Sequence, residues 1–258
     1  MSLSAQDIAF FDVFGYLILP QLFNQEEVSE LSNDFEKIAL ADRDGKDFEG
    51  VKRQDIALID TPSWKRLMES DRIYRPLREL LGASYTSTQM PSGGLYVGDT
   101  QWHPDVAKVD SQRRIKGAVY LDPVRKDSGC LRVVPGSHKN PFHNEMQPLR
   151  MGRIKESLDN GTLMSNVGAA GDSERAEIDE WAKESGINMD RDNTIFGWNP
   201  TEIPSTALES NPGDVVLFNQ CIFHAAFGGK TGRRMVAMTW ASDPTEPGHV
   251  KGELVRER

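Results

Sequence analysis

The chain opens with apolar residues at helical spacing. Ile8, Phe11 and Phe14 follow Ser4, a residue type that caps a helix by accepting a hydrogen bond from an exposed N–H, so the pattern predicts a short helix that Gly15 ends. The β-branched and aromatic run Tyr16-Leu17-Ile18-Leu19, closed by Pro20, predicts a strand. Asn24 begins a second amphipathic helix with Val28, Leu31, Phe35 and Ile38 on one face and acids on the other. Ser63–Leu81 reads as a further helix carrying Trp64, Leu67, Ile73, Leu77 and Leu80, ended by Gly82.

From Ser84 the period changes to two. Short runs of strand type lie at Gly94–Val97, Gly117–Leu121, Cys130–Val134, Asp214–Phe218 and Met235–Trp240, bounded by Gly, Pro, Asp and Ser. Several short strands after a helical start predict a mainly β protein, a sandwich or barrel with flanking helices. Between Phe142 and Asn211 lies a long polar stretch with one predicted helix, Ser173–Ser185, whose Ile178, Trp181 and Ala182 share a face. Connections of that length inside a β-domain are usually functional, as lids or substrate loops. The chain shows neither repeat nor linker, so it reads as a single domain, 1–258. Its parts are a helical region 1–83, a β core 84–142 and 208–245, and a lid or substrate insertion 143–207.

With 258 residues, 38% of them hydrophobic, the chain can bury a substantial core. The formal charge of −9 argues against a nucleic-acid or anionic-membrane binder. Met1–Pro20 lacks the basic start of a signal peptide, and the apolar runs are strand-sized, so a soluble protein away from membranes is expected. Cys130 and Cys221 are too few for a disulfide framework and have no CxxC spacing; they read as core thiols in a reducing cytoplasm.

Two of the five histidines stand in chemically suggestive company. In Gln101-Trp102-His103-Pro104-Asp105 an imidazole and a carboxylate sit at i and i+2, on the same face of an extended segment. His224 follows the buried-strand pattern Asp214–Phe218, which the turn Asn211-Pro212-Gly213 introduces. Two neutral imidazoles and one carboxylate on one side of a metal are the facial triad of non-haem iron(II) oxygenases. Alone, His103 and Asp105 are weak evidence, and a surface histidine beside an acidic turn is the reading that then takes precedence.

Three further features bear on that choice. The stretch Asp127-Ser128-Gly129-Cys130-Leu131-Arg132-Val133-Val134-Pro135-Gly136-Ser137-His138-Lys139 resembles the turn-strand-turn signature of the phytanoyl-CoA dioxygenase family, in its usual place between His-x-Asp and the distal histidine. Arg233 follows His224 at the start of the strand Met235–Trp240, as in that family. The opening from Phe11 through Gly15 to Pro20, followed by Glu26, Glu27, Val28 and Leu31, is similar to the family's entry motif; the likeness runs from residue 8 to residue 240.

This resemblance implies a double-stranded β-helix, a cupin-like jelly roll, with His103, Asp105 and His224 as catalytic iron(II) ligands. It implies 2-oxoglutarate and O2 as co-substrates, with the far carboxylate of 2-oxoglutarate held by the planar fork of Arg233. Arg234, its neighbour on the opposite face of the strand, is the rival. The implied activity is hydroxylation of a C–H bond of a small-molecule metabolite, with decarboxylation of 2-oxoglutarate to succinate and CO2. Asp105 argues against halogenation, which needs a small residue there. Two other readings keep the same ligands: a zinc hydrolase, or a non-catalytic metal-binding module.

Where many relatives have a serine two places after the distal histidine this chain has Ala226, which leaves Gln89 and Tyr96 as possible donors to the oxo acid or as ordinary lining residues. Trp102 reads as packing beside the first ligand, His138 as a turn residue, and His143 and His249 as solvated. Arg132, Trp198 and Asn199 are candidate substrate contacts, with an outward, solvated Arg132 and core anchoring by Trp198 and Asn199 as the competing readings; Arg113, Arg114 and Lys116 form a short basic run that does not resemble a CoA-phosphate cradle and that a solvated loop explains as well. The expected partner is a small molecule, bound by a monomer or homodimer.

Overall fold

Ser4 accepts a hydrogen bond from the Asp7 N–H and Asp7 accepts one from the Ser4 N–H, a reciprocal box that starts α1 (Ala5–Phe14). Gly15 ends the helix at φ +83, and a Cβ there would lie 2.5 Å from the His138 ring, so only glycine both turns the chain and admits that ring. The chain then enters β1 (Tyr16–Leu19), and Asn24 with Glu27 repeats the box at α2 (Gln25–Asp42). The helix expected over 63–81 is two: α3 (Pro62–Met68) and α4 (Asp71–Leu81), the second started by Ser70, whose hydroxyl accepts from the Arg72 N–H. Before them runs β2 (Arg53–Ala57), which the hydrophobic pattern does not announce. The remaining order is β3 (Tyr85–Tyr96), β4 (Thr100–His103), β5 (Arg114–Tyr120), β6 (Leu131–Val133), α5 (Phe142–Glu145), β7 (Thr206–Leu208), β8 (Val215–Asn219), β9 (His224–Ala226) and β10 (Arg233–Ser242). The computed structural model describes residues 2–45, 53–58, 60–68, 70–82, 85–147, 149, 202–229 and 232–242, with backbone alone for 53–55, 68 and 86–92.

The strands form two antiparallel sheets. The larger has the order β1-β8-β5-β10-β3-β2 and the smaller β4-β9-β6-β7. Side-chain alternation sorts the apolar residues into three layers. Val119, Leu217, Val236 and Trp240 point out of the large sheet against Phe11, Leu31, Phe35 and Leu77 of the helices. Ala118, Tyr120, Val216 and Phe218 point the other way and meet Leu131, Val133 and Leu208 of the small sheet, closing the jelly roll. Trp102, Val134, Phe223 and Ala225 cover the outside of the small sheet together with Met146 and Leu149.

The polar connection is shorter than 143–207. Met146, Leu149 and Ile203 pack against the small sheet and β7 begins at Thr206, so both ends of that stretch belong to the fold. The expected helix Ser173–Ser185 lies outside the described residues. No helix among the described residues is long and apolar enough to cross a membrane.

Candidate metal centre

β4 and β9 pair so that His103 stands opposite His224, and both project to the interior face of the small sheet. Val133 flanks His224 on the other side. The His103 Nδ1 lies 2.7 Å from the Gln101 carbonyl oxygen and the His224 Nδ1 lies 3.0 Å from that of Ile222. A carbonyl can only accept, so each Nδ1 carries a proton, and Nε2 is the ring atom each histidine would present to a metal. The rings are 4.3 Å apart between centroids, and the His224 Nε2 is 3.9 Å from the Asp105 Oδ1. One ligand atom from each of His103, Asp105 and His224 falls within 4.8 Å of the others. Two imidazoles whose Nδ1 atoms are tied to carbonyls and one carboxylate are a donor set that fits iron(II), and such a set leaves one side of the metal open. The spacing of His103, Asp105 and His224 therefore describes one cluster, not a surface histidine beside a turn.

The two arginines of β10 have different surroundings. Arg233 faces inward and is 4% exposed; its guanidinium donates to the Gly98 carbonyl at 2.9 Å and the Thr100 hydroxyl at 3.1 Å, and lies 5.6 Å from the Tyr96 ring centre. Gly129, from the signature turn, makes room for it: its φ is +86 and a Cβ would meet Arg233 at 3.0 Å. Arg234 faces the helices, bonded twice to Asp122 and also to Ser32 and Glu36. Burial opposes ionisation of Asp122, but the Arg234 hydrogen bonds and charge outweigh it and hold the carboxyl below its ordinary range. Arg234 thus ties α2 to the large sheet.

Ala226 stands opposite Thr100 in register, and the Thr100 hydroxyl accepts from Arg233. Gln89 lies opposite Thr239 in the β3–β10 pair, and Tyr96 opposite Arg233. Arg132 does not reach the centre: it pairs with Ala225, the residue between two inward-facing ones, and its Nε donates to Ser205 on the outside of the small sheet. Of the two readings for Arg132, the alternation of β6 takes the outward one. Trp198 and Asn199 lie outside the described residues.

His143 is not solvated. It is fully buried, with Nδ1 3.0 Å from the Ser137 carbonyl and Nε2 2.8 Å from that of Ala107, and it fastens α5 to the loops. His138 is the turn residue expected, seated on Gly15. Trp102 packs outside the small sheet beside the ligand strand. Both cysteines are free and buried; burial pushes the thiols of Cys130 up to about 11 and of Cys221 up to about 12.

Lys116 belongs to the centre, not to a solvated loop. It lies in β5 opposite Phe218 and Thr239, and its Nζ donates to both Asp105 oxygens, at 3.0 and 3.1 Å. Phe218 in turn lies 5.0 Å from the His224 ring. The sequence carries only part of this signal: Lys116 follows Ile115 in a run apolar on both sides of the pleat, Ile115 to Leu121, which marks a buried strand but not the face that Lys116 takes.

The fold and this ligand set together define a jelly roll with a two-histidine, one-carboxylate centre. The phytanoyl-CoA dioxygenase (PhyH) family matches residues 11–236, and the chain belongs to that family. An ectoine dioxygenase of Bordetella parapertussis is 26% identical over 155 residues, 54% of this chain and 50% of that one; the chain spans about half the length of the curated relatives it matches. HygX from Streptomyces hygroscopicus, solved with nickel and 2-oxoglutarate bound, is 18% identical with a TM-score of 0.60 over 93% of this chain and 87% of its own. The epimerase SnoN, solved with Fe3+, alpha ketoglutarate and nogalamycin RO, is 16% identical with a TM-score of 0.58 over 92% of this chain and 84% of its own.

Proposed function

We propose that this chain is an iron(II)- and 2-oxoglutarate-dependent oxygenase that oxidises a C–H bond of a small molecule. The observation that carries the reading is the meeting of His103, Asp105 and His224 at one end of a barrel whose inner wall also presents Arg233. Iron(II) held there supplies open positions for a 2-oxo acid and dioxygen, and hence the oxidising chemistry.

The chain's own residues have distinct tasks. His103 and His224 present Nε2, kept in that tautomer by the Gln101 and Ile222 carbonyls. Arg233 is the fork for the far carboxylate of 2-oxoglutarate, already aimed by Gly98 and Thr100; a fixed guanidinium loses less freedom on binding than a flexible ammonium. Phe218, Val133 and Leu131 make the interior wall apolar and limit water around the reacting carbon.

Hydroxylation, with succinate and CO2 as co-products, is the outcome we assign. The likeness to an epimerase with the same co-substrate makes the fate of the substrate radical the point to test. The substrate is a small metabolite, in keeping with the small-molecule ligand in the SnoN complex. The buried free thiols accord with a reducing, cytoplasmic setting. The test is succinate release from 2-oxoglutarate under air, screened over polar metabolites with product mass measured. A gain of one oxygen atom is expected; a product isomeric with its substrate would replace hydroxylase by epimerase, and release of no succinate with any metabolite would count against the oxygenase.

A further inference from the structure

Lys116 has no part in the functional reading so far, yet it sits against a metal ligand. Its stem is rooted in β5, paired on one side with β8 and on the other with β10, while Asp105 stands in the loop after β4. The ammonium spans the carboxylate evenly, 3.0 Å from Oδ1 and 3.1 Å from Oδ2, and its other side lies 5.9 Å from the Phe218 ring centre. The two side chains are 21% and 22% exposed, although Asp105 as a whole residue lies at the surface, so the contact is partly screened by solvent. The Oδ1 atom is also the one facing His224 Nε2.

We infer that Lys116 is a positioning residue for the metal centre: it retains Oδ2 of Asp105 while Oδ1 goes to the metal, so that the carboxylate stays a one-oxygen ligand. The argument rests on the iron reading above. A carboxylate that binds through both oxygens takes two positions, and 2-oxoglutarate needs two of those left by a facial triad. An ammonium bonded to the second oxygen prevents that. It also leaves a positive charge beside the position an anionic oxo acid must occupy. Lysine suits this task because its point charge turns on a flexible stem and can follow the carboxylate as the metal enters.

The test uses the full chain loaded with Mn(II), which is redox-silent under these conditions, and compares wild type with Lys116→Met and Lys116→Arg. Water-proton relaxation counts the waters on the metal, and calorimetry gives the affinity for Mn(II) and then for 2-oxoglutarate. In Lys116→Met, Mn(II) is expected to bind at least as tightly, the relaxation to fall by about a third as one of three waters is lost, and 2-oxoglutarate to bind about 10- to 100-fold more weakly. Lys116→Arg keeps a donor on Oδ2 and should recover most of both. Unchanged relaxation and 2-oxoglutarate affinity in Lys116→Met would overturn the role, as would loss of Mn(II) binding as complete as in Asp105→Asn. Failure of the wild type to bind Mn(II) would instead overturn the metal site itself.

Discussion

The two faces of the large sheet are built from the same strands and do different work. Outward, Val119, Leu217, Val236 and Trp240 meet the helices in an apolar layer, and Arg234 is closed off by Asp122, Ser32 and Glu36. Inward, the same strands carry Lys116, which meets Asp105, Phe218, which lies against His224, and Arg233, which is held by Gly98 and Thr100. The difference teaches that a charged residue in this barrel is read from its partners: Arg234 finds acids from its own scaffold, whereas the inner groups converge on one space.

The largest effect should come from breaking the inner face. His224→Ala or Asp105→Ala is expected to remove metal binding, a loss of more than about 100-fold by titration, while the urea midpoint of the metal-free protein moves little. Trp240→Ala on the outer face should do the opposite. Loss of that buried ring should cost about 3–5 kcal/mol in urea unfolding, with metal affinity per folded molecule retained.

The arginine pair sharpens the contrast within two residues. Arg234→Ala should cost about 1–3 kcal/mol of stability, since it strips charged hydrogen bonds from half-buried Asp122, and leave 2-oxoglutarate binding intact. Arg233→Ala should raise the 2-oxoglutarate concentration required, and Arg233→Lys should recover only part of it.

The effect least visible at neutral pH is a pH dependence at the joint between α1 and the signature turn. His138 is buried and burial lowers it to about 4, from an ordinary value of 6.5. The unfolded chain therefore takes up this proton first as pH falls. The contribution is fully present above about pH 6.5 and is lost as pH falls toward 4. Urea midpoints across that range should decline less steeply in His138→Gln than in wild type.

Much of this arrangement was legible in the sequence for physical reasons. The caps at Ser4 and Asn24 and the period-two runs located α1, α2 and the central strands, because local hydrogen bonding and burial act over a few residues. The clustering of His103, Asp105 and His224 was legible because His-x-Asp spacing and the strand before His224 fix direction as well as position. What escaped depends on register. Arg132 and Lys116 lie on strands, and only the pairing with Ala225 or with Phe218 says which face each takes. β2 is polar and short, and His143 is buried by segments distant in sequence, so neither leaves a local pattern.

The most direct measurement of the central claim is anaerobic. 2-Oxoglutarate is added to the iron(II)-loaded protein and the visible spectrum recorded for wild type, His103→Ala, Asp105→Ala and Arg233→Ala. The account predicts a weak charge-transfer band in wild type, absent in the two ligand variants and requiring more 2-oxoglutarate in Arg233→Ala. Bound iron with no such band in wild type would contradict it.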